Sequence, residues 1–460
     1  MNTREKALHI NLDDQVYGSF AEIGAGQEVV RWFFQAGGAA GTVAKSISAY
    51  DMRVSDAIYG DCERYVARER LESMLEKEYS LNVERLGDER GDTTSFFSFA
   101  DTVSARNFRG TNSCHAWMGV RFQSAPGEEH SQIIIHVRML DSSNALQQDA
   151  IGMVGVNLLY GATFLSAEPE KLLASLLEGL STERVEVDMV EFSGQAFEDV
   201  DNRVMSLRLV QLGFTGAAMF AADGQVLQAC EYLRKESVVV HRGRFRPLTH
   251  VNVDVLQCAQ RKFQEAHPDV TPLPLMEMTM HHLSPDGDVC PEDFISRIDV
   301  LAATGYTVLI SDFLDYDELS QYLRRSGVAR SALAIGMDSA EQLFTSAATQ
   351  GATDGLLEKM GRLIGSDLTL YVYPKLCLTS NEVHTIKDLE LDRTSHMLMT
   401  YLIDAGAIHP LENYNRELLH IQSPAVLECI ASNDESWMDM VPERAVDIIQ
   451  QRNFFNAKQL

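Results

Sequence analysis

The feature that most restricts this chain is a local pattern written twice: a helix with one apolar face, a glycine, a short apolar run and an aspartate. In the first copy Val204, Leu207 and Val210 share a helical face, Gly213 follows, then the run Ala217 to Ala221 and Asp223. In the second, Ile298 and Leu301 precede Gly305, the run Val308 to Ser311 and Asp312. Spacing of three and four residues marks a helix packed on one side, and a glycine just past it suits a left-handed cap. Short, wholly apolar runs read as strands covered on both faces. A second helix ends in Tyr-Leu-Arg in both copies, and Val238 to Val240 and Ala332 to Ile335 follow as third strands. The expected fold is α/β, a mainly parallel doubly wound sheet with two related βαβαβ units between Val185 and Tyr373, with part of a barrel as the alternative.

The flanks follow from the same reading. Residues 1–125 form an N-terminal α+β segment with glycine-rich turns, ended by the polar break SAPGEEH; the repeats occupy 130–265 and 270–375. Residues 376–460, with patterns such as HMLMTYLIDAG and RAVDIIQQ, are expected to form a helical tail. The uncharged run AIGMVGVNLLYGATFLSA just reaches the length of a membrane span, about 18 residues. Asn157, Thr163, its three glycines and the lack of flanking basic anchors make it a buried helix or strand instead.

Charge narrows the function. Lys and Arg number 39 against 66 Asp and Glu, a net −27 at pH 7, so no general duplex nucleic-acid surface is expected. A localised basic pocket remains compatible with this balance. The opening MNTREKALHINLDD is charged throughout and lacks an apolar signal core, which places the chain in the cytoplasm. The 7 cysteines are odd in number and widely spaced, so neither a disulfide framework nor a paired zinc site is read. No metal is expected, and no cofactor is named by any motif.

The strings GSFAEIGAGQEVVRWFF, GGAAGTVAKSISAYDM, SDAIYG, FADTV, SQIIIHVRML, GVNLLYGA, TVLISDF and LYVYP resemble a widespread bacterial family of cytoplasmic proteins, over most of Gly18 to Pro374. Its members carry the names nicotinate-nucleotide adenylyltransferase or TonB-dependent receptor. A receptor barrel needs a signal sequence and many alternating strands of about ten residues, which are absent here. The run from Gly18 to Gln27 resembles the G-[ST]-F-x-P-I-H-x-G-H start of adenylyltransferases, in which histidines stabilise the moving phosphoryl group. Gly24 and Gln27 stand at both histidine positions, so the standard transfer chemistry is not expected.

Three constellations carry candidate chemistry. Gly24 and Gly26 precede the helical run QEVVRWFFQAG, and Gly37, Gly38 and Gly41 precede VAKSISAYDM, with Lys45 following later than a P-loop lysine would. Such turns present free N–H groups to phosphate or carboxylate, or permit close helix packing through small residues. The run HRGRFRPLTH holds His241, Arg242, Arg244, Arg246 and His250; period two would put the three arginines on one face, suited to phosphate or to acidic residues of this or another subunit. Glu277, Thr279 and His281 would share one strand face, with His282 opposite; Glu277, His281, Asp223 and Asp312 are the candidate catalytic groups. Both aspartates would otherwise cap the helices that follow. Cys114-His115 lacks any feature that aims a base at the thiol.

These readings converge on a cytoplasmic protein binding a phosphorylated small molecule or nucleotide, as enzyme or sensor. The alternative is a structural or regulatory assembly whose arginines serve subunit contacts. In either case self-association into a homo-oligomer is expected from the frequency of symmetric assemblies.

Overall fold

The computed structural model describes residues 1–283, 289–349, 355–365, 368–377 and 379–456, and the chain divides into two units, Met1–Gly216 and Ala217–Leu460. The first unit contains β1 (Val16–Gly24), β2 (Val43–Ser48), β3 (Ser95–Ser104), β4 (His115–Phe122), β5 (Ser131–Met139) and β6 (Val185–Gly194), in the sheet order β2-β1-β3-β4-β5-β6. β1 runs parallel to β2 and β3, whereas β3 to β6 form antiparallel neighbours. The SAPGEEH break is the turn between the antiparallel strands β4 and β5.

Helix Asn144–Phe164 contains most of the long uncharged run and is buried along much of its length. Its asparagine explains why: Asn157 donates to the carbonyls of Leu176 and Glu178 at 2.9 and 3.0 Å and accepts from Lys6 Nζ at 2.8 Å. Gly155 admits the neighbouring helix Glu28–Ala36, since a Cβ there would lie 2.5 Å from Val29 Cγ2. Among the described residues no helix is long and apolar enough to cross a membrane.

The second unit holds β7 (Ala217–Phe220), β8 (Val226–Leu227), β9 (Ser237–Arg242), β10 (Leu273–Thr279), β11 (Thr307–Ser311), β12 (Arg330–Gly336) and β13 (Leu368–Tyr373). A separate ribbon joins β14 (Lys375–Leu376) to β15 (Val383–His384), and β16 (Ile408–Pro410) returns to the main sheet. Its order is β16-β13-β12-β9-β10-β11-β7-β8, parallel from β16 to β11 and antiparallel only at β7 and β8. Numbered along the chain, the six parallel strands run 6-5-4-1-2-3, the doubly wound order. Helices His250–Ala266 and Pro291–Ala303 follow β9 and precede β11; Tyr316–Arg325, Met337–Thr349 and Leu356–Ile364 pack with the apolar cluster of the other face. The α/β class with a mainly parallel doubly wound sheet is therefore present.

Its two halves are not the expected pair of equivalent units. Both glycine caps form, with φ of 68° at Gly213 and 87° at Gly305, and both apolar runs contain strands. However, β7 lies antiparallel beside β11 in the same sheet, so the two runs are not equivalent, and the first copy begins on β6 of the other unit. The actual halves are β9 to β11 and β12, β13 and β16. A helix-glycine-strand signal is local, whereas strand direction is settled by the sheet the chain enters after Gly216. The tail is helical apart from the ribbon and β16, whose three residues extend the parallel sheet.

Candidate functional site

The doubly wound sheet changes strand order between β9 and β12, and ligand crevices in such sheets open at the carboxyl ends of the strands at that point. The run HRGRFRPLTH falls there, as the end of β9 and the connection to helix His250–Ala266. His241 links the two halves: Nδ1 donates to Ala334 O on β12 at 3.0 Å, and Asn252 lies 3.3 Å from Nε2. Burial holds its pKa down to about 4, partly opposed by the Ala334 carbonyl, so the ring is neutral.

Arg242 and Glu277 face one another from adjacent strands in register. Glu277 is fully buried and accepts two bonds from Arg242, at 2.9 and 2.8 Å, and a third from Ser311 Oγ at 2.7 Å. Arg242 also donates to Leu314 O at 3.1 Å and lies over the Tyr316 ring. Burial alone would lower the guanidinium pKa, yet Glu277 beside it keeps it raised. This is a filled two-pronged ion pair that ties β9 to β10 and β11.

Beyond Arg242 the loop alternates outward and inward. Arg244 and Arg246 are exposed while Phe245 is buried against His241, with the ring centroids 5.6 Å apart. Arg246 Nε donates to Asp293 at 2.7 Å. Arg297, almost wholly buried, also pairs with Asp293 and donates to the carbonyls of Arg244 and His282 at 3.1 and 2.9 Å, leaving Nε without a partner. Arg244 has no ion pair among the described residues. The expectation of three arginines on one face is thus corrected: the strand ends at Arg242, which turns inward, and only Arg244 and Arg246 face out.

β10 also ends earlier than expected, at Thr279, and His281 stands on a helical turn, Met280–Leu283. It is exposed and does not continue the strand face of Glu277 and Thr279. His282 is half-buried with Nδ1 unpartnered, and burial, then Arg242 and Arg244, lowers its pKa to about 4. Asp223 accepts from Gln225 N at 3.0 Å in the β7–β8 turn, and Asp312 is exposed beyond β11. The capping of the next helix falls to Asp315, whose carboxylate and Glu318 close a capping box. A cavity of about 480 Å³ opens beside Arg246, lined also by Asp293, Arg452 and Phe455.

The glycine turns belong to the first unit. Gly26 opens helix Glu28–Ala36, and its Cα abuts Asp101: a Cβ there would lie 1.8 Å from Oδ1. Ser48, Glu22 and Asp101 stand in one row across β2, β1 and β3. Both carboxyl groups are buried, and Glu22 Oε1 and both Asp101 oxygens lack hydrogen-bond partners. Burial, with Glu28 adding, raises Glu22 to about 7, and burial and Glu22 raise Asp101 well above the usual carboxyl range. Gln27 uses its amide on Gly24 O and Ser48 Oγ, at 2.6 and 3.1 Å. The second turn is corrected: Gly37, Gly38 and Gly41 end one helix, with Asn11 donating to Gly37 O at 2.8 Å, and lead into strand β2 rather than a new helix. Lys45 on that strand pairs with buried Glu78.

All seven cysteines are free thiols, and among the described residues no group of three or more side chains could hold a metal ion. The sequence reading missed Glu22, Asp101, Asp293 and Arg297, which are single residues brought together only by sheet register and helix packing.

No protein-family model and no curated protein matches the chain. Among solved structures it is similar to the competence/damage-inducible protein CihA of Agrobacterium tumefaciens, at 15% identity over 34% of this chain and 93% of that one, TM-score 0.25. A CinA superfamily protein of Enterobacter cloacae gives 14%, 35%, 92% and 0.26, and one of Escherichia coli 13%, 34%, 87% and 0.24. Likeness at this level carries no argument about what the present chain binds or does.

Proposed function

We propose that the second unit binds a phosphorylated small molecule, a nucleotide being one such ligand, at the carboxyl edge between β9 and β12. The observation that carries this reading is Arg244: an exposed guanidinium with no ion pair among the described residues, on the loop that leads from the strand-order reversal into the helix starting at His250. A helix start favours anions, and a guanidinium fork matches phosphate oxygens. Arg246 and Arg297 add positive charge but share Asp293, and Arg242 is neutralised by Glu277. Arg244 is then the ligand contact, and Arg242 holds the frame. The glycine turn at Gly24 and Gly26 is a poorer anion site, because Glu22 and Glu28 stand beside it.

Calorimetric titration with inorganic pyrophosphate and with ADP tests this. Loss of one charge-assisted contact should weaken binding about tenfold or more in Arg244→Ala. Undiminished binding in that variant removes the reading, and undiminished binding with loss of self-association in sedimentation would make the arginines subunit contacts.

A further inference from the structure

The end of the helical tail builds one wall of the cavity of about 480 Å³ beside Arg246, and helix Pro291–Ala303 lines another. Helix Glu443–Arg452 packs along that helix, and after it the chain turns back through two left-handed residues, Asn453 and Phe455, at φ of 54° and 56°. Asparagine takes this conformation readily, but a phenylalanine there is held against its own preference. The turn brings the half-buried rings of Phe454 and Phe455 together in the wall, edge to face with centroids 6.4 Å apart. A volume of this size lies in the range of small-molecule sites, roughly 300 to 1,000 Å³.

Charge in the cavity is already matched. Arg246 donates to Asp293 at 2.7 Å, and Arg452 donates to Asp299 at 2.5 Å while its guanidinium lies over the Phe454 ring, 5.9 Å from the centroid. Glu292, exposed in the same wall as Asp293, adds a further negative charge. A phosphate entering here would meet these carboxylates while both lining arginines are engaged by their own. Two phenyl rings and flat guanidinium groups instead suit an uncharged planar ring, since every nucleobase offers a π-face to such partners. The Glu292 carboxylate offers an acceptor to an amino group on the edge of that ring.

The cavity adjoins the loop that carries Arg244. Arg297 donates to the carbonyl of Arg244 at 3.1 Å and pairs with Asp293 in the cavity wall, so a single guanidinium bridges the two. Arg244 and Arg246 are two residues apart, at most about 7 Å along an extended chain, and both face solvent. We infer that the phosphorylated ligand is a nucleotide whose base enters this cavity against Phe454 and Phe455 while its phosphate meets Arg244, a placement that rests on the anion site proposed above. The ribose then spans the gap between Arg244 and the cavity mouth. Phe455 sets the preference for a base, and the helical tail supplies the wall that receives it.

Calorimetric titration of the full chain with AMP and with ribose 5-phosphate tests this, because the two differ only by the base. AMP should bind about tenfold more tightly, as expected for one stacked base, and Phe455→Ala should bring the two affinities together. Equal affinity of the wild type for AMP and ribose 5-phosphate, with inorganic pyrophosphate still bound, overturns the base site and leaves the anion site standing. No binding of pyrophosphate, AMP or ribose 5-phosphate overturns both. A preference for AMP that survives in folded Phe455→Ala puts the base elsewhere and refutes the cavity. Should that variant not fold, photolabelling of the wild type with 2-azido-AMP decides: label in the tryptic peptide 453–458 supports the base site, and its absence there refutes it.

Discussion

Arg242 and Arg244 stand two positions apart and perform opposite tasks, because one meets a buried carboxylate and the other meets solvent. Replacing Glu277 by Gln leaves Arg242 buried without its counter-charge, a loss of about 3 to 5 kcal/mol. Urea denaturation followed by a probe in the second unit should register it, and a change below about 1 kcal/mol would show that the pair is not structural. Glu22 gives a prediction with a sign. Unfolded, it ionises near 4.5; folded, at about 7, chiefly because of burial. Between these values the folded chain keeps a proton that the unfolded chain has released, so unfolding free energy falls as pH rises from about 4.5 to about 7. At roughly 1.4 kcal/mol per pKa unit the loss approaches about 3 kcal/mol, with Asp101 acting in the same direction. Denaturation of wild type and Glu22→Gln at pH 5 and pH 8 should show a smaller decline in the variant.

Elements were legible from sequence where the signal was local. The caps at Gly213 and Gly305, the strands at Ala217 and Val308 and the burial of the uncharged run follow from spacing and composition, and each formed; that the run is a helix rather than a strand did not follow. The direction of β7 did not follow, since four buried apolar residues read the same in parallel and antiparallel ladders. The arginine loop was visible as a run of like charges, but its division into an inward Arg242 and outward Arg244 depends on Glu277, thirty-five positions away in sequence. Asp293 and the Glu22–Asp101 row left no sequence signal at all. Close packing at the start of helix Glu28–Ala36 is testable in the same terms. Gly26→Ala places a methyl group against Asp101 and should cost about 1 to 3 kcal/mol. The double variant with Asp101→Ala should be more stable than the sum of the single effects, by the coupling expected of touching residues.

The molecule consists of two units, each with its own sheet and its own apolar cluster. Separate cores imply that residues 1–216 fold without the rest of the chain; circular dichroism and a cooperative thermal transition of that fragment check this, and an unfolded fragment contradicts it. The proposed anion site lies within the second unit, at the carboxyl ends of β9 and β12. Hydrogen exchange with and without inorganic pyrophosphate addresses the anion site most directly. Protection of the amides in 243–252 and at the end of β12, lost in Arg244→Ala, is the predicted result; no protection there at millimolar pyrophosphate, or protection confined to the glycine turn around Gly24 and Gly26, would contradict it.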